Sequence, residues 1–549
     1  METQRGRPRW HGAIESGAIL VCMLAVVVAL QLRGGAYGAG FSDDDSSHVV
    51  SGLMVHDFLV NATLRSPLSF LVHFYSHYPL VGIGHWPPLY YGLEGVWMLV
   101  APASHTSLLV LSALVTAATA TLTYALAAPR SGRLLALGAA LVLVACPIVQ
   151  EGSNAVMLDM PLALVSLLAA MTYGRYLRRG LARDAATFGI VATAAIMVKG
   201  NGIALGLLPL FAVAIGRRFA LLRTWGFWLP SLIVGVLCAP WYVLTYGSAE
   251  AGFRFAWGLD YMRLSLAANS EILLAAVGPL LLAAGVLGFG QVVLGARSAP
   301  KDPVLVSLAA LLAAFFVFQM IVPAAIQDRY LAPALPPLLI LAAGFVHDVA
   351  LWARRPWVAP ALGAVLLLSF LPAAAGIPTT NGVGLAAAAR AVWGTRVADN
   401  PSVLVALGPG LESAAIAELA LDDPKRPSLF AVRATRLLGA GGYNNQDYAP
   451  RYQTPQEVMA AIDANAIPLV LLRTDDRLGG WTHLRQIDQA RHLFPDRFEL
   501  VWQGAGADPF LLFRVRGNDR LKADTSRLES LSAPRKLVPS ADRPGSPEP

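Results

Sequence analysis

Apolar segments long enough to cross a bilayer recur along the chain to about residue 376, and no other feature constrains the fold as strongly. A membrane span needs about 20 mostly apolar residues. We therefore predict an α-helical polytopic membrane protein with about 11–13 membrane helices. The candidate segments lie near residues 18–32, 106–128, 132–149, 157–177, 183–198, 202–216, 226–246, 271–296, 303–322, 330–352 and 357–376.

The composition agrees with a membrane protein. Hydrophobic residues make up 56% of the chain and charged residues only 14%, whereas about 25% of a soluble domain is charged. The net charge of +7 arises largely from Arg and Lys in short loops between apolar segments, where such residues control topology. The expected surroundings are therefore membrane lipids, and no nucleic-acid partner is predicted. The chain has three cysteines, Cys22, Cys146 and Cys238, and each lies in an apolar run. Neither a disulfide nor a thiolate metal site is therefore predicted.

Alternate loops are basic, which sets the direction of the spans. Loops with pairs such as Arg178/Arg179 and Arg354/Arg355 are predicted to be cytoplasmic, and the intervening loops face outward. The stretch Arg5–Arg9 precedes the first apolar segment, which we interpret as an uncleaved span; a signal peptide cleaved near residues 36–39 is the alternative. Residues 88–102 are apolar but short and contain Glu94, so they are predicted to form a juxtamembrane or re-entrant helix, although a full span stays open.

Three regions are expected. Residues 1–380 form the transmembrane domain, including an outer loop at 34–87. Residues 390–517 form a small extracytoplasmic α/β domain, because strand-like and helix-like runs alternate there. Residues 518–549, rich in Pro, Ser and charge, are predicted to be a disordered tail. The strand-like runs are Val403–Leu407, Pro468–Leu472 and Phe510–Val515, and the helix-like runs are Glu412–Leu421 and Pro455–Asn465.

Polar groups at the outer membrane boundary are the candidates for chemistry, because ionisable groups near lipid are costly. The first is Ser42-Asp43-Asp44-Asp45. Adjacent carboxylates repel one another, which can raise the pKa of one of them and suit it to proton abstraction. A solvated acidic loop is the alternative, as is a helix over His48–Leu59 capped by Asp45 or Ser46.

Four further elements lie at predicted outer boundaries. His85 and Tyr90 flank a Pro-Pro pair that is also typical of a structural corner. Asp159 begins a span, where the helix dipole tolerates its charge and capping is the alternative. Lys199 and the pair Arg329-Tyr330 supply cations that could hold a phosphate, with snorkelling as the alternative. The loop charges place all of these elements on one face of the membrane.

No metal or other cofactor is predicted. His73 and His77 stand four residues apart, which is a metal-ligand spacing on a helix. However, no His-Glu-x-x-His pattern accompanies them.

The order of these elements resembles the GT-C glycosyltransferase superfamily, specifically the branch of aminoarabinose transferases and protein O-mannosyltransferases. That branch has Asp-Glu-x-x-Tyr, Lys-Pro-Pro-Leu-x-Tyr, Asp-x-Pro-Leu, Lys-Gly and Arg-Tyr-Leu-x-Pro elements. The resemblance covers residues 14–350. Here Trp86 stands in place of the first Lys, and Asp45 and His48 in place of Glu and Tyr. The matching segments are Asp44–His48, Trp86–Tyr91, Asp159–Leu162, Lys199-Gly200 and Arg329–Pro333.

The resemblance implies a metal-independent, inverting transfer from a polyprenyl-phosphate-linked sugar to a lipid, glycan or protein acceptor. The reaction would occur on the extracytoplasmic face of a bacterial inner membrane. Asp44 would be the general base, and Asp45 or Asp159 would orient the acceptor or support charge on the sugar. Lys199 and Arg329 would stabilise the departing phosphate. His85, Tyr90 and Tyr330 complete the predicted substrate-binding set.

A different class of function stays open: a lipid or solute transporter, or a non-catalytic membrane scaffold. Transporters usually place ionisable residues within spans and show internal repeats. In this chain the charges lie at span ends and no repeat is evident. Both observations favour the enzyme.

Overall fold

The computed structural model describes residues 9–61, 66–250, 255–295, 301–376, 384–441, 448–473, 480–505 and 509–532. The chain divides into two compact units. The first comprises Met1–Tyr37, Ile83–Tyr90 and His105–Thr380, and the second comprises Gly38–Gly82, Tyr91–Ser104 and Asn381–Pro549.

Helices dominate the described residues, and strands occur only after residue 400 among them. The helices are α1 (Arg9–Arg33), α2 (Asp43–Val60), α3 (Pro67–His77), α4 (Leu89–Val100), α5 (His105–Ser131), α6 (Arg133–Ala145), α7 (Pro147–Ser153), α8 (Asp159–Arg179), α9 (Ala182–Val198), α10 (Leu208–Gly216), α11 (Trp225–Glu250), α12 (Leu259–Val277), α13 (Pro279–Leu294), α14 (Pro303–Ile321), α15 (Leu335–Ala353), α16 (Val358–Ala375), α17 (Leu385–Thr395), α18 (Pro409–Leu421), α19 (Ala434–Leu437), α20 (Pro455–Ala464), α21 (Thr482–Leu493) and α22 (Thr525–Ser532). The strands are β1 (Ser402–Ala406), β2 (Phe430–Arg433), β3 (Gly439–Ala440), β4 (Ala449–Pro450), β5 (Leu469–Arg473), β6 (Phe498–Gln503) and β7 (Phe510–Val515).

The first unit is a bundle of apolar helices. Within the described residues, 7 helices are long and apolar enough to cross a membrane, or up to 9 if each bent pair is one span. That number is below the expected 11–13, because α9 has only 17 residues and the next predicted span is interrupted between Gly200–Gly206 and α10. The 12-residue α4 would extend about 18 Å, too short for a bilayer core of about 30 Å.

Two predicted spans are broken where proline begins a new helix. Helices α6 and α7 meet at an angle of 60°, and α12 and α13 at 115°. Pro147 and Pro279 each occupy the first turn of the second helix, where the missing N–H is tolerated. At the sharper break, Gly278 adopts a φ of +76°, a conformation that favours glycine.

Buried hydroxyl groups along α5 find hydrogen-bond partners within their own helix, which suits a membrane interior that offers no water. The hydroxyls of Thr116, Thr119 and Thr123 on α5 each donate to the carbonyl four residues earlier. On the outer surface of the unit, apolar side chains stay exposed: Leu244 on α11 is 84% exposed and Leu368 on α16 is 65% exposed. Such a surface suits lipid rather than water.

The second unit is built on a five-stranded sheet of order β2-β1-β5-β7-β6. The first three of these strands are parallel, and β7 pairs antiparallel with both β5 and β6. Strand β1 is buried along its whole length, as expected for a parallel strand covered on both faces. The predicted α/β fold of the C-terminal region is confirmed, although β2 and β6 were not predicted.

Helices α2 and α3 pack on the C-terminal part of the chain: α2 contacts α18, and α3 contacts α22. The sequence analysis grouped loop 34–87 with the membrane domain, whereas residues 38–82 belong to the second compact unit. Part of the predicted disordered tail, residues 518–532, is ordered, because Leu528 is buried in the core of the unit. Residues 533–549 lie outside the described part of the chain.

Candidate active site

Four of the six predicted site residues of the first unit, Asp159, Lys199, Arg329 and Tyr330, converge at the ends of three elements. Asp159 begins α8, as predicted, and Lys199 immediately follows α9. Lys199 Nζ donates to Asp159 Oδ1 at 2.6 Å, and both side chains are buried. Because ions taken out of water need a partner, this pairing explains how both charges are tolerated at the end of two apolar helices.

Tyr330 lies against the same lysine. The Lys199 ammonium is 4.6 Å from the centre of the Tyr330 ring, and the Arg329 guanidinium is 5.9 Å from it. Both distances fall within the range in which a ring attracts a cation. Gln327 Oε1 accepts hydrogen bonds from Arg329 Nε at 2.9 Å and Nη2 at 2.7 Å, which orients the guanidinium. We call Asp159, Lys199, Arg329 and Tyr330 the cationic cluster.

His85 and Tyr90 also belong to the first unit. His85 follows Gly84, whose φ of +107° makes the turn, and its ring meets that of Trp86 edge-on at 4.5 Å. The Gly84 amide donates to the Trp86 carbonyl. Tyr90, in the first turn of α4, is 1% exposed. The Pro87-Pro88 pair therefore separates a tight turn from a helix start, as its position in the sequence predicts.

The Ser42-Asp43-Asp44-Asp45 stretch, which we call the acidic motif, opens α2 in the second unit. The helix begins at Asp43 with Ser42 as its N-cap residue, five residues before the predicted start at His48. Asp45 is 2% exposed, whereas Asp44 is of intermediate exposure. Ser42 Oγ donates to Asp45 Oδ1 at 2.7 Å. The carboxylate of Asp45 therefore accepts a hydrogen bond from Ser42 within the first turn of α2, and it does not cap a helix that starts at His48.

Burial, with a smaller contribution from the charge of Asp44, raises the pKa of Asp45 to about 6, although hydrogen bonds from Ser42 oppose this shift. Glu418, on α18, is also buried, and desolvation followed by the charges of Asp422 and Asp45 raises its pKa to about 7. The raised pKa in this motif thus belongs to Asp45 and arises mainly from burial, whereas the sequence analysis expected repulsion among adjacent carboxylates to be the cause. The sequence analysis did not identify Glu418, because nothing in its neighbouring sequence indicates an interaction with Asp45, which lies far away along the chain.

His48 stands where the Asp-Glu-x-x-Tyr element of the branch that the sequence resembles has tyrosine. Its Nδ1 lies 3.0 Å from the Tyr91 hydroxyl, and both residues are buried. Tyr91 thus places a phenol hydroxyl next to His48.

The described residues contain no group of three or more His, Cys, Asp or Glu side chains that could hold a metal ion. His73 and His77 lie on α3 with ring centres 4.6 Å apart, but His77 Nδ1 is 2.9 Å from the His73 carbonyl. Burial lowers the pKa of His77 to about 4, and its ring stacks on Phe430 at 3.9 Å. His77 therefore packs in the second unit as a neutral ring.

Comparisons with known proteins support the predicted class. Residues 85–244 match a family model described as dolichyl-phosphate-mannose-protein mannosyltransferase. The fold resembles ArnT from Cupriavidus metallidurans in a crystal structure with bound undecaprenyl phosphate: the TM-score is 0.57 at 16% identity, covering 91% of this chain and 98% of ArnT. It also resembles the oligosaccharyltransferase AglB from Archaeoglobus fulgidus, in complex with an inhibitory peptide and a dolichol-phosphate, with a TM-score of 0.53 at 12% identity over 91% of this chain and 74% of AglB. The search of curated proteins found no match.

The family match and the shared fold confirm the resemblance to the GT-C superfamily, whose members transfer sugars from polyprenyl-phosphate donors. The family match indicates a glycosyltransferase, and the shared fold together with the long apolar helices indicates a multi-pass membrane protein. The matched segment includes His85, Tyr90, Asp159 and Lys199, whereas the acidic motif and Arg329 lie outside it.

Proposed function

We propose that this protein moves a sugar from a polyprenyl-phosphate donor to an acceptor on the extracytoplasmic face of a bacterial inner membrane. The transfer is inverting and independent of metal. The observation that carries the proposal is the cationic cluster, in which three segments that are distant in sequence supply Asp159, Lys199 and the adjacent pair Arg329-Tyr330. Two cations at the end of apolar helices suit a phosphate whose lipid lies in the membrane.

The donor phosphate would bind at Lys199 and Arg329, with Tyr330, His85 and Tyr90 contributing further contacts. In ArnT, a crystal structure contains undecaprenyl phosphate, which supports a polyprenyl carrier for this chain. Charge-assisted hydrogen bonds to phosphate contribute about 1.5–3 kcal/mol each. They would grow stronger as the carrier leaves, because its phosphate gains charge in the transition state.

The acceptor hydroxyl or amine would attack the anomeric carbon while Asp44 takes its proton. The bond between that carbon and the phosphate oxygen breaks, and the phosphate keeps the electron pair. A single displacement of this kind inverts the anomeric centre. Asp45 or Asp159 would orient the acceptor or support positive charge on the sugar. A lipid, a glycan and a protein are all acceptors of this chemistry.

The test is transfer of labelled sugar from a panel of polyprenyl-phosphate hexoses and pentoses to envelope material in membranes that contain the protein. Asp44→Asn should lower transfer by about 10²-fold or more, since a general base contributes about 10²–10⁴-fold. Asp488→Asn, in the same unit but on α21, should leave transfer unchanged. If a folded Asp44→Asn variant transfers sugar at a rate within a factor of two of the wild type, Asp44 is not the general base. Substrate counterflow in vesicles without sugar transfer would instead favour a transporter.

Orientation has a separate test. In a variant without the native cysteines, an impermeant thiol reagent added to intact spheroplasts should label Asp488→Cys but not Arg355→Cys. Both positions are exposed or nearly so. Labelling of Arg355→Cys alone would reverse the proposed topology.

A further inference from the structure

Helix α2, which carries the acidic motif, ends at a buried ion pair with the C-terminal region. Asp57 accepts hydrogen bonds from Arg426, with Nε at 2.7 Å and Nη2 at 3.2 Å from the two carboxylate oxygens. The side chains are only 8% and 9% exposed. Arg426 Nη1 also donates to the Ala420 carbonyl at 2.6 Å. A bidentate pair fixes orientation as well as charge, because two hydrogen bonds must align together.

The turn that carries Arg426 is itself held in shape. Asp423 accepts hydrogen bonds from the Lys425 amide at 2.9 Å and from the amide and hydroxyl of Ser428, each at 2.7 Å. Asp423 also accepts a hydrogen bond at 2.6 Å from the hydroxyl of Tyr78, which is fully buried. Tyr78 directly follows α3, so this one turn binds the ends of both α2 and α3.

Helix α2 transmits this constraint to its first turn. It runs without a break over Asp43–Val60, and the twelve residues from Asp45 to the ion pair span about 18 Å of rigid helix. Midway, a Cβ added at Gly52 would come within 2.7 Å of Glu94 Oε2, so α2 has little room to rotate or slide. A shift of one residue in its register would turn every side chain by about 100°.

We propose that Arg426 is a positioning residue for sugar transfer: its ion pair with Asp57 fixes the register of α2 and so aims Asp44 and Asp45. The C-terminal α/β region thereby becomes part of the catalytic apparatus rather than an appended domain. This inference rests on the proposed function, since it assumes that the motif on α2 acts in transfer. Misplacing a reacting group by about 1 Å can lower a rate about 10²-fold.

The experiment compares steady-state transfer by the full-length protein in nanodiscs, using the donor that gives transfer in the panel above. Arg426→Gln should lower kcat about 10- to 100-fold while the donor KM changes by less than about threefold, because the donor phosphate is bound by the cationic cluster. The swapped pair Asp57→Arg with Arg426→Asp should recover at least part of kcat. Arg497→Gln is the matched control, since Arg497 makes a bidentate pair with Asp463 in the same unit.

A second, milder variant tests the same inference in case the Arg426→Gln protein does not fold. Tyr78→Phe removes only the hydroxyl that Asp423 accepts, and it should lower kcat about 3- to 10-fold, again with little change in the donor KM. Folded Arg426→Gln and Tyr78→Phe proteins that keep kcat within a factor of two would overturn the inference, as would a loss confined to the donor KM. Absence of transfer by the wild-type protein would instead refute the proposed function.

Discussion

Removing the buried charge of Asp45 should stabilise the protein at neutral pH. A carboxyl whose pKa rises from 3.8 to about 6 on folding is harder to ionise in the folded state. This group stabilises the folded protein fully below about pH 4, and that contribution is lost as the pH rises through about 6. The loss amounts to about 3 kcal/mol. Asp45→Asn keeps an oxygen for the Ser42 hydroxyl but carries no charge.

The measurement is denaturant unfolding of the purified full-length protein in detergent, from about pH 4 to about pH 8. Asp45→Asn should match the wild type near pH 4 and exceed its free energy of unfolding by about 2–3 kcal/mol near pH 8. The surface variant Asp488→Asn, which removes an exposed ion pair with Arg491, should change stability by less than about 1 kcal/mol. An Asp45→Asn protein that is less stable than the wild type near pH 8, or a difference independent of pH, would show that the buried charge of Asp45 does not destabilise the folded protein.

Two further predictions concern the first unit. Asp159→Asn or Lys199→Met alone should each lower the free energy of unfolding by about 3–5 kcal/mol, because each leaves a buried charge unpaired. The double variant should lose less than the sum of the two single losses. Strictly additive losses in the unfolding measurements would contradict the pairing. Gly288→Ala should lower the unfolding temperature, because its Cβ would meet the Leu341 carbonyl on α15, whereas Gly290→Ala on the same helix meets nothing within 4 Å and should be tolerated. Equal melting temperatures for the two glycine variants would contradict the close crossing of α13 and α15.

The membrane helices could be predicted because lipid imposes a simple requirement on sequence: long apolar runs with charges only at their ends. Helix α8 accordingly begins at Asp159, where the sequence placed it. The breaks at Pro147 and Pro279 were missed, since a window of hydropathy averages across a bend. The early start of α2 was missed for a related reason, because its first turn is too polar to extend the apolar pattern.

The site was predictable only in part. Residue types and their order identified the acidic motif and the cations, but not what each one touches. The pairing of Lys199 with Asp159 joins positions 40 residues apart, and that of Asp57 with Arg426 joins positions 369 apart. Nothing local in the sequence encodes such partners, because tertiary packing selects them. The edge strand β6 was missed because its sequence, FELVWQ, mixes polar and apolar residues over a half-exposed surface.

Equilibrium binding of undecaprenyl phosphate to the purified protein in nanodiscs measures whether the cationic cluster holds the phosphate of a polyprenyl carrier. Arg329→Gln should weaken binding about 10- to 100-fold, since it removes a charge-assisted contact. Arg355→Gln, an exposed arginine beyond α15, should bind like the wild type. Equal affinities for the wild type and both variants would show that Arg329 does not bind the carrier phosphate.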